Sequence, residues 1–204
     1  MTAQWVMAMA VRTKRLFSIP VKKTHLAETE ALKQRFLPDM LQRYQDNKFE
    51  KPKFWTTDRI HTSFGTKDSK EHIIVSMPDE YIRILKEIIP PSKYTVQLWH
   101  NMYWTGQEYQ EIHHHVPCHL SLIHFLSFDS AEHKPPVFYD PARLVKASCR
   151  HDGVPEDYWL DKATIPVEEG DVIIFPSYLE HYVPPGIYNK PRVTVSMNVT
   201  ILGD

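Results

Sequence analysis

From residue 94 to the end of the chain, apolar and polar residues alternate with a period of two, in short runs broken by turn-forming residues. Alternation of this kind puts every second side chain on one face of an extended strand, and a helix cannot bury such a pattern. The clearest run is Arg192-Val193-Thr194-Val195-Ser196-Met197-Asn198. Val193, Val195, Met197 and Val199 share one face, and Arg192, Thr194, Ser196 and Asn198 the other. Further runs at 94–104, 109–115, 121–128, 136–139, 162–166, 171–175 and 181–183 give seven or eight short strands, which indicates an all-β sandwich or barrel. The 16 Pro among 204 residues argue against a long-helix architecture.

The first ninety residues read differently. Residues 4–19 fit one or two strands. Residues 24–36 are rich in helix formers, with Thr24 as a candidate N-cap and Pro38 limiting the end. Residues 37–46 fit a second short helix, and 47–72 a long surface loop anchored by Trp55 and Phe64. Pro78-Asp79-Glu80 opens another helix, which places Tyr81, Ile84, Leu85 and Ile88 on one face. The expected organisation is one domain over 1–204: a helical and irregular support region, 1–92, beside a β core, 93–204.

Composition removes several function classes. Formal net charge is -1, so no global field draws the chain to nucleic acid or to a membrane surface. No apolar run approaches the roughly 18 residues of a membrane span. The apolar start lacks a preceding basic residue and a cleavage site, so a signal peptide is not expected. Two cysteines, Cys118 and Cys149, make no disulfide framework and point to a reducing, cytoplasmic setting.

The chemistry lies in the histidines. The chain has 12, clustered between His100 and His133. Within Glu111-Ile112-His113-His114-His115, strand alternation puts Tyr109, Glu111, His113 and His115 on one face and turns His114 away. Two imidazoles on one strand face can hold one side of a metal ion, and imidazole alone does not choose among Fe, Zn, Cu and Ni. Downstream, Gly170-Asp171 feeds an apolar strand that ends at Pro176-Ser177, and His181 follows at its rim. Arg192 stands eleven positions later. Its polar strand face fits solvent, or equally the lumen of a closed barrel, where an arginine grips a carboxylate bidentately.

The order His-x-His, then Gly-Asp-x-x-x-Phe-Pro-Ser-x-x-x-His, then Arg-x-Thr resembles the Fe(II)/2-oxoglutarate-dependent dioxygenases. Within them it resembles the small oxygenases of bacteria and phages that carry His-x-His in place of His-x-Asp. The likeness covers roughly 94–200. It implies a mainly β fold, a double-stranded β-helix (jelly-roll, cupin-like) core with N-terminal helices packed on one side. It implies that His113, His115 and His181 hold iron, and that Arg192, helped by Thr194, binds the far carboxylate of 2-oxoglutarate. Tyr103, with Tyr109 as runner-up, and Asn101 are the implied helpers. Asp140, in Phe138-Tyr139-Asp140-Pro141, reads as a turn residue. The implied activity is hydroxylation of a small molecule or a protein side chain with O2, with no protein acid or base and no catalytic residue beyond the metal ligands. The likeness leaves the substrate unnamed and a homodimer open.

Position 115 departs from the usual facial triad of two His and one carboxylate. Three neutral imidazoles leave the full charge on the metal and favour a dianionic co-ligand. The alternative is a non-oxidative metal-binding cupin-type protein, an isomerase or binding module. Gly170, Pro176 and His181 fit one cupin motif, but His119 and Leu120 stand where the other needs Glu. A zinc site using Cys118 and a metal-free jelly-roll module complete the alternatives.

Overall fold

The computed structural model describes residues 18–46, 60–64, 77–104 and 108–202. The strands expected at 4–19 and the Trp55 anchor lie largely or wholly outside them. The described elements are β1 (Lys22–His25), α1 (Thr29–Gln45), β2 (His61–Thr62), α2 (Asp79–Ile88), β3 (Tyr94–Tyr103), β4 (Gln110–His113), β5 (Leu120–Ser127), β6 (Val137–Tyr139), α3 (Arg143–Ser148), a 3-10 turn (Glu156–Tyr158), β7 (Lys162–Thr164), β8 (Asp171–Pro176), β9 (His181–Val183) and β10 (Arg192–Ile201). They form two antiparallel sheets, one of six strands in the order β1-β8-β5-β10-β3-β2 and one of four in the order β4-β9-β6-β7. This is the mainly β, double-stranded β-helix architecture expected.

Alternation decides what each sheet face touches. On β10, Val193, Val195, Met197 and Val199 join Leu122, Leu126, Val172 and Ile174 in a core capped by α1 and α2. The helices supply Leu32, Met40, Tyr81, Ile84 and Leu85 to the same cluster. A fully buried Leu or Met here contributes about 2 kcal/mol by removal of apolar surface from water. The opposite face of the sheet points toward the four-stranded sheet. There Ile123, Phe125, Ile173 and Phe175 pack with Phe138 and Leu179.

Two helix expectations change. α1 starts at Thr29 and runs to Gln45 with Pro38 inside it, in place of two short helices. Pro38 removes the bond to the Gln34 carbonyl, but both residues are exposed, so water can satisfy that group while the buried face holds the helix together. Thr24 is not a cap. It lies in β1, paired with Val172. That strand is exposed along its length and pairs with β8, and just past its end Leu26 N–H donates to Gly170 O (2.8 Å). Gly170 has φ +89°, and a Cβ there would stand 2.6 Å from His25 Cε1, so only glycine fits.

Candidate metal centre

His113 and His181 are cross-strand partners in the β4–β9 pair. That register alone sets their ring centroids 4.3 Å apart. His115 lies just past the end of β4, where its backbone N–H donates to Ser177 O (2.8 Å) and holds the chain extended beside the tip of β8. Its ring is 4.9 Å from that of His113 and 5.2 Å from that of His181. One ring nitrogen from each of the three falls within 4.8 Å of the others. His114 is exposed and is not in the group. Cys118 is also outside it, which removes the zinc arrangement built on that thiol.

Tautomers are set locally in two of the rings. His113 Nδ1 donates to Glu111 O (2.6 Å) and His181 Nδ1 to Leu179 O (3.0 Å). A carbonyl only accepts, so Nε2 of each ring is left with a lone pair, the form a divalent metal needs. Burial pushes the His115 imidazole down to about 3, and the neighbouring His113 and His114 push the same way. Burial likewise lowers His113 and lowers His181 well below the ordinary range. All three are therefore neutral at neutral pH.

Arg192, Thr194, Tyr103 and Asn101 line the same chamber as the three imidazoles. The polar face of β10 is thus lumen and not solvent. Arg192 has no exposed surface, and Nε, Nη1 and Nη2 are buried without a hydrogen-bond partner. Its contacts are with ring faces: Cζ lies 4.7 Å from the Tyr103 centroid, 5.8 Å from that of Phe128 and 6.0 Å from that of Phe125. Burial lowers its pKa, but a guanidinium remains charged. No acidic side chain lines the chamber among the described residues. A buried cation whose N–H groups meet no anion is costly, unless a ligand supplies the carboxylate.

The strand holding the His pair carries one correction. Gln110 pairs with Val183 and His113 with His181, so three steps on β4 match two on β9. This bulge reverses the alternation upstream of His113. Gln110, and not Tyr109 or Glu111, turns into the chamber, where its Oε1 accepts from Tyr103 Oη (3.1 Å). Sequence reading missed Gln110 because an inserted residue leaves no mark on the pattern. Asn101 is engaged in the wall. In the orientation that satisfies its neighbours, its nitrogen donates to Thr62 Oγ1 (2.7 Å) and its oxygen accepts from Trp99 Nε1 (3.3 Å). Asp140 behaves as a turn residue: Oδ1 accepts from the Ala142 amide (2.7 Å) and Oδ2 from Lys146 Nζ (2.5 Å).

Comparisons with known proteins bear on the fold and the family. No curated protein matches the sequence. Among solved structures, a prolyl-4-hydroxylase from Pseudomonas putida superposes with a TM-score of 0.55 at 11% identity, over 91% of this chain and 95% of that one. HygX from Streptomyces hygroscopicus, solved with nickel and 2-oxoglutarate bound, gives 0.55 at 10% identity, over 89% and 83%. A Trichoplax adhaerens prolyl hydroxylase, solved with a hypoxia inducible factor oxygen degradation domain peptide, gives 0.58 at 12% identity, over 88% and 83%. At such identities these likenesses speak to the fold. The family described as "Putative 2OG-Fe(II) oxygenase" matches residues 97–198, half of the 204 and the stretch that holds all three imidazoles, Arg192 and Thr194. The chain belongs to this family of 2-oxoglutarate- and Fe(II)-dependent oxygenases.

Proposed function

We propose that this protein is a dioxygenase in which His113, His115 and His181 hold Fe(II) and Arg192, with Thr194, takes the far carboxylate of 2-oxoglutarate. The observation that carries the reading is Arg192, a buried guanidinium whose three nitrogens lack partners in the chamber that holds the imidazole cluster. The donor set fits: three neutral imidazoles suit a first-row divalent metal. When bound, Fe(II) would activate O2, the oxidant, and 2-oxoglutarate would give two electrons as it is cleaved to succinate and CO2, so that a substrate C–H bond is hydroxylated. The protein's own residues orient and exclude water. Gln110 and Tyr103 fix one wall, Ile123 and Phe175 give the chamber apolar surface, and Thr194 shares the chamber-facing side of β10 with Arg192.

Substrate would enter from a cleft of about 510 Å³ that shares His113 and His115 with the chamber. That size suits a small molecule or a peptide side chain. Phe64, Trp99, Ile112 and Val116 give it an apolar lining.

The test is an anaerobic titration of the Fe(II)-loaded protein with 2-oxoglutarate, followed by the visible charge-transfer absorption of the chelate. The band should appear at saturation and be lost in Arg192→Met. A protein that binds Fe(II) with no such band, and in which Arg192→Met changes no ligand binding, would favour the cupin-type alternative.

A further inference from the structure

His115 is held differently from its two companions. Its Nδ1 lies 3.3 Å from the side-chain amide of Asn198, on β10, where His113 and His181 meet backbone carbonyls. An amide offers a donor at one end and an acceptor at the other, so Asn198 decides the tautomer. With the amino group toward the ring, Nδ1 must accept, and the proton sits on Nε2, where it blocks a metal. With the carbonyl toward the ring, Nδ1–H donates and Nε2 is bare.

The amide fits its pocket either way round. In the structure the amino group faces His115, and Oδ1 accepts from Ser121 Oγ (2.9 Å). Ser121 Oγ lies 2.8 Å from Ser177 Oγ. With the amide reversed, Nδ2 donates to Ser121, which turns its own hydroxyl hydrogen toward Ser177, so the same heavy-atom pairs stay within hydrogen-bond distance. Hydroxyls permit this because each both donates and accepts. Asn198, Ser121 and Ser177 are all buried, so bulk water does not compete for the amide.

We propose that Asn198 is the positioning residue that makes His115 a metal ligand: with its carbonyl toward the ring it accepts from His115 Nδ1–H and leaves Nε2 bare for the metal. The assignment rests on the three-imidazole centre proposed above. It gives the polar face of β10 two separate tasks, with Arg192 at one end for the co-substrate and Asn198 at the other for the metal.

Zinc(II) alone is a suitable probe, because it is diamagnetic and needs no co-substrate. Long-range proton–nitrogen correlation on imidazole-labelled protein reads the tautomers directly. In the zinc-loaded protein His115 should be in the Nδ1–H form, as should His113 and His181. By calorimetry, Asn198→Leu should weaken zinc binding about 10- to 100-fold, the usual effect of losing a partner behind a ligand. Asn198→Asp, an acceptor at both oxygens, should restore most of it. A His115 that keeps its Nε2 proton in the zinc-loaded protein overturns the proposal, as does an Asn198→Leu protein that binds like wild type. The wild-type spectrum decides the matter even where a variant fails to fold. His113→Ala separates the two levels: if it abolishes binding while Asn198→Leu does not, this assignment falls alone. If wild-type protein binds no zinc, or His113→Ala leaves binding intact, the centre falls with it.

Discussion

The guanidinium carbon of Arg192 stands 4.7 Å from the centroid of the Tyr103 ring, and Tyr103 in turn donates its hydroxyl to Gln110. The pair spans β10 and β3, which are in register at these two positions. A charge is thus parked against an aromatic face with its hydrogen-bonding edges unused. Stacking of this kind offsets part of the desolvation cost, on the order of 2 kcal/mol when dry. It cannot replace a carboxylate.

Arg192 should therefore cost stability in the free protein and confer ligand affinity. In Arg192→Met, the urea midpoint of the ligand-free protein should be unchanged or higher, as when a buried charge is replaced by an apolar side chain of similar length. Affinity for 2-oxoglutarate in the metal-loaded protein should fall roughly 30-fold or more, from the 2–5 kcal/mol lost when one member of a buried charge pair is truncated. Equilibrium unfolding and calorimetric titration of the same variant measure both. A variant that unfolds more easily yet binds 2-oxoglutarate normally would assign Arg192 a packing role.

Metal and co-substrate should bind cooperatively. Three neutral imidazoles and Arg192 leave the chamber strongly positive once a divalent ion enters, and no acidic residue lines it among those described. The dianion of 2-oxoglutarate answers that charge. Metal affinity should rise about 10-fold or more when 2-oxoglutarate is present, within the usual 1–3 kcal/mol of site coupling. His115→Asp, which brings a carboxylate into the shell, should bind metal more tightly alone and show less coupling. Competition against a chelator, with and without 2-oxoglutarate, reads both effects.

His124 should give the fold a pH dependence of its own. It is fully buried on β5, between the helices and the sheet. Thr29 Oγ1 donates to Leu26 O (2.6 Å), so it must accept from His124 Nε2 (2.9 Å), and Tyr81 Oη donates to His124 Nδ1 (2.7 Å). That chain needs the neutral ring. Burial, with a smaller push from His25, lowers its pKa to about 4. The unfolded ring titrates near 6.5, so between about 4 and 6.5 the unfolded state binds more protons, and stability falls as pH falls. The loss is about 1.4 kcal/mol per pH unit for one such group. The destabilisation caused by His124→Gln should then be about 2 kcal/mol smaller at pH 5.0 than at pH 7.5. Urea unfolding of both proteins at both values gives the difference, and an unchanged difference would refute the assignment.

The same reasoning moves the expected pH profile of metal binding. Sequence alone suggests that protons compete near pH 6.5, the ordinary imidazole value. Burial of His113, His115 and His181 shifts that competition lower, so metal binding, followed by calorimetry across the acid range, should fail only in solution more acidic than that value.

β10 was legible because its apolar face packs against the core while its other face is polar, and β5 and β8 were legible as apolar runs buried on both faces. β1 was not, since Lys22-Lys23-Thr24-His25 is an exposed edge strand with no apolar face to announce it. The continuous α1 was hidden by Pro38, whose lost hydrogen bond falls on the solvent side. The imidazole cluster was readable because one turn and one strand pair carry it. Gln110 was not, because a bulge shifts facing without changing composition. The polar face of β10 was visible as a face, but whether it met water or a chamber depended on the four-stranded sheet opposite. His124 reads as an ordinary polar position in an apolar run, and only its two helix partners reveal its task.

The centre itself is tested most directly by anomalous diffraction from crystals grown without oxygen in manganese(II), a redox-stable stand-in for Fe(II), and 2-oxoglutarate. One buried anomalous peak is expected within bonding distance of Nε2 of His113, His115 and His181, with a 2-oxoglutarate carboxylate paired with Arg192. A peak elsewhere on the chain, or an Arg192 still stacked on Tyr103 without a carboxylate while the metal site is filled, would contradict this arrangement.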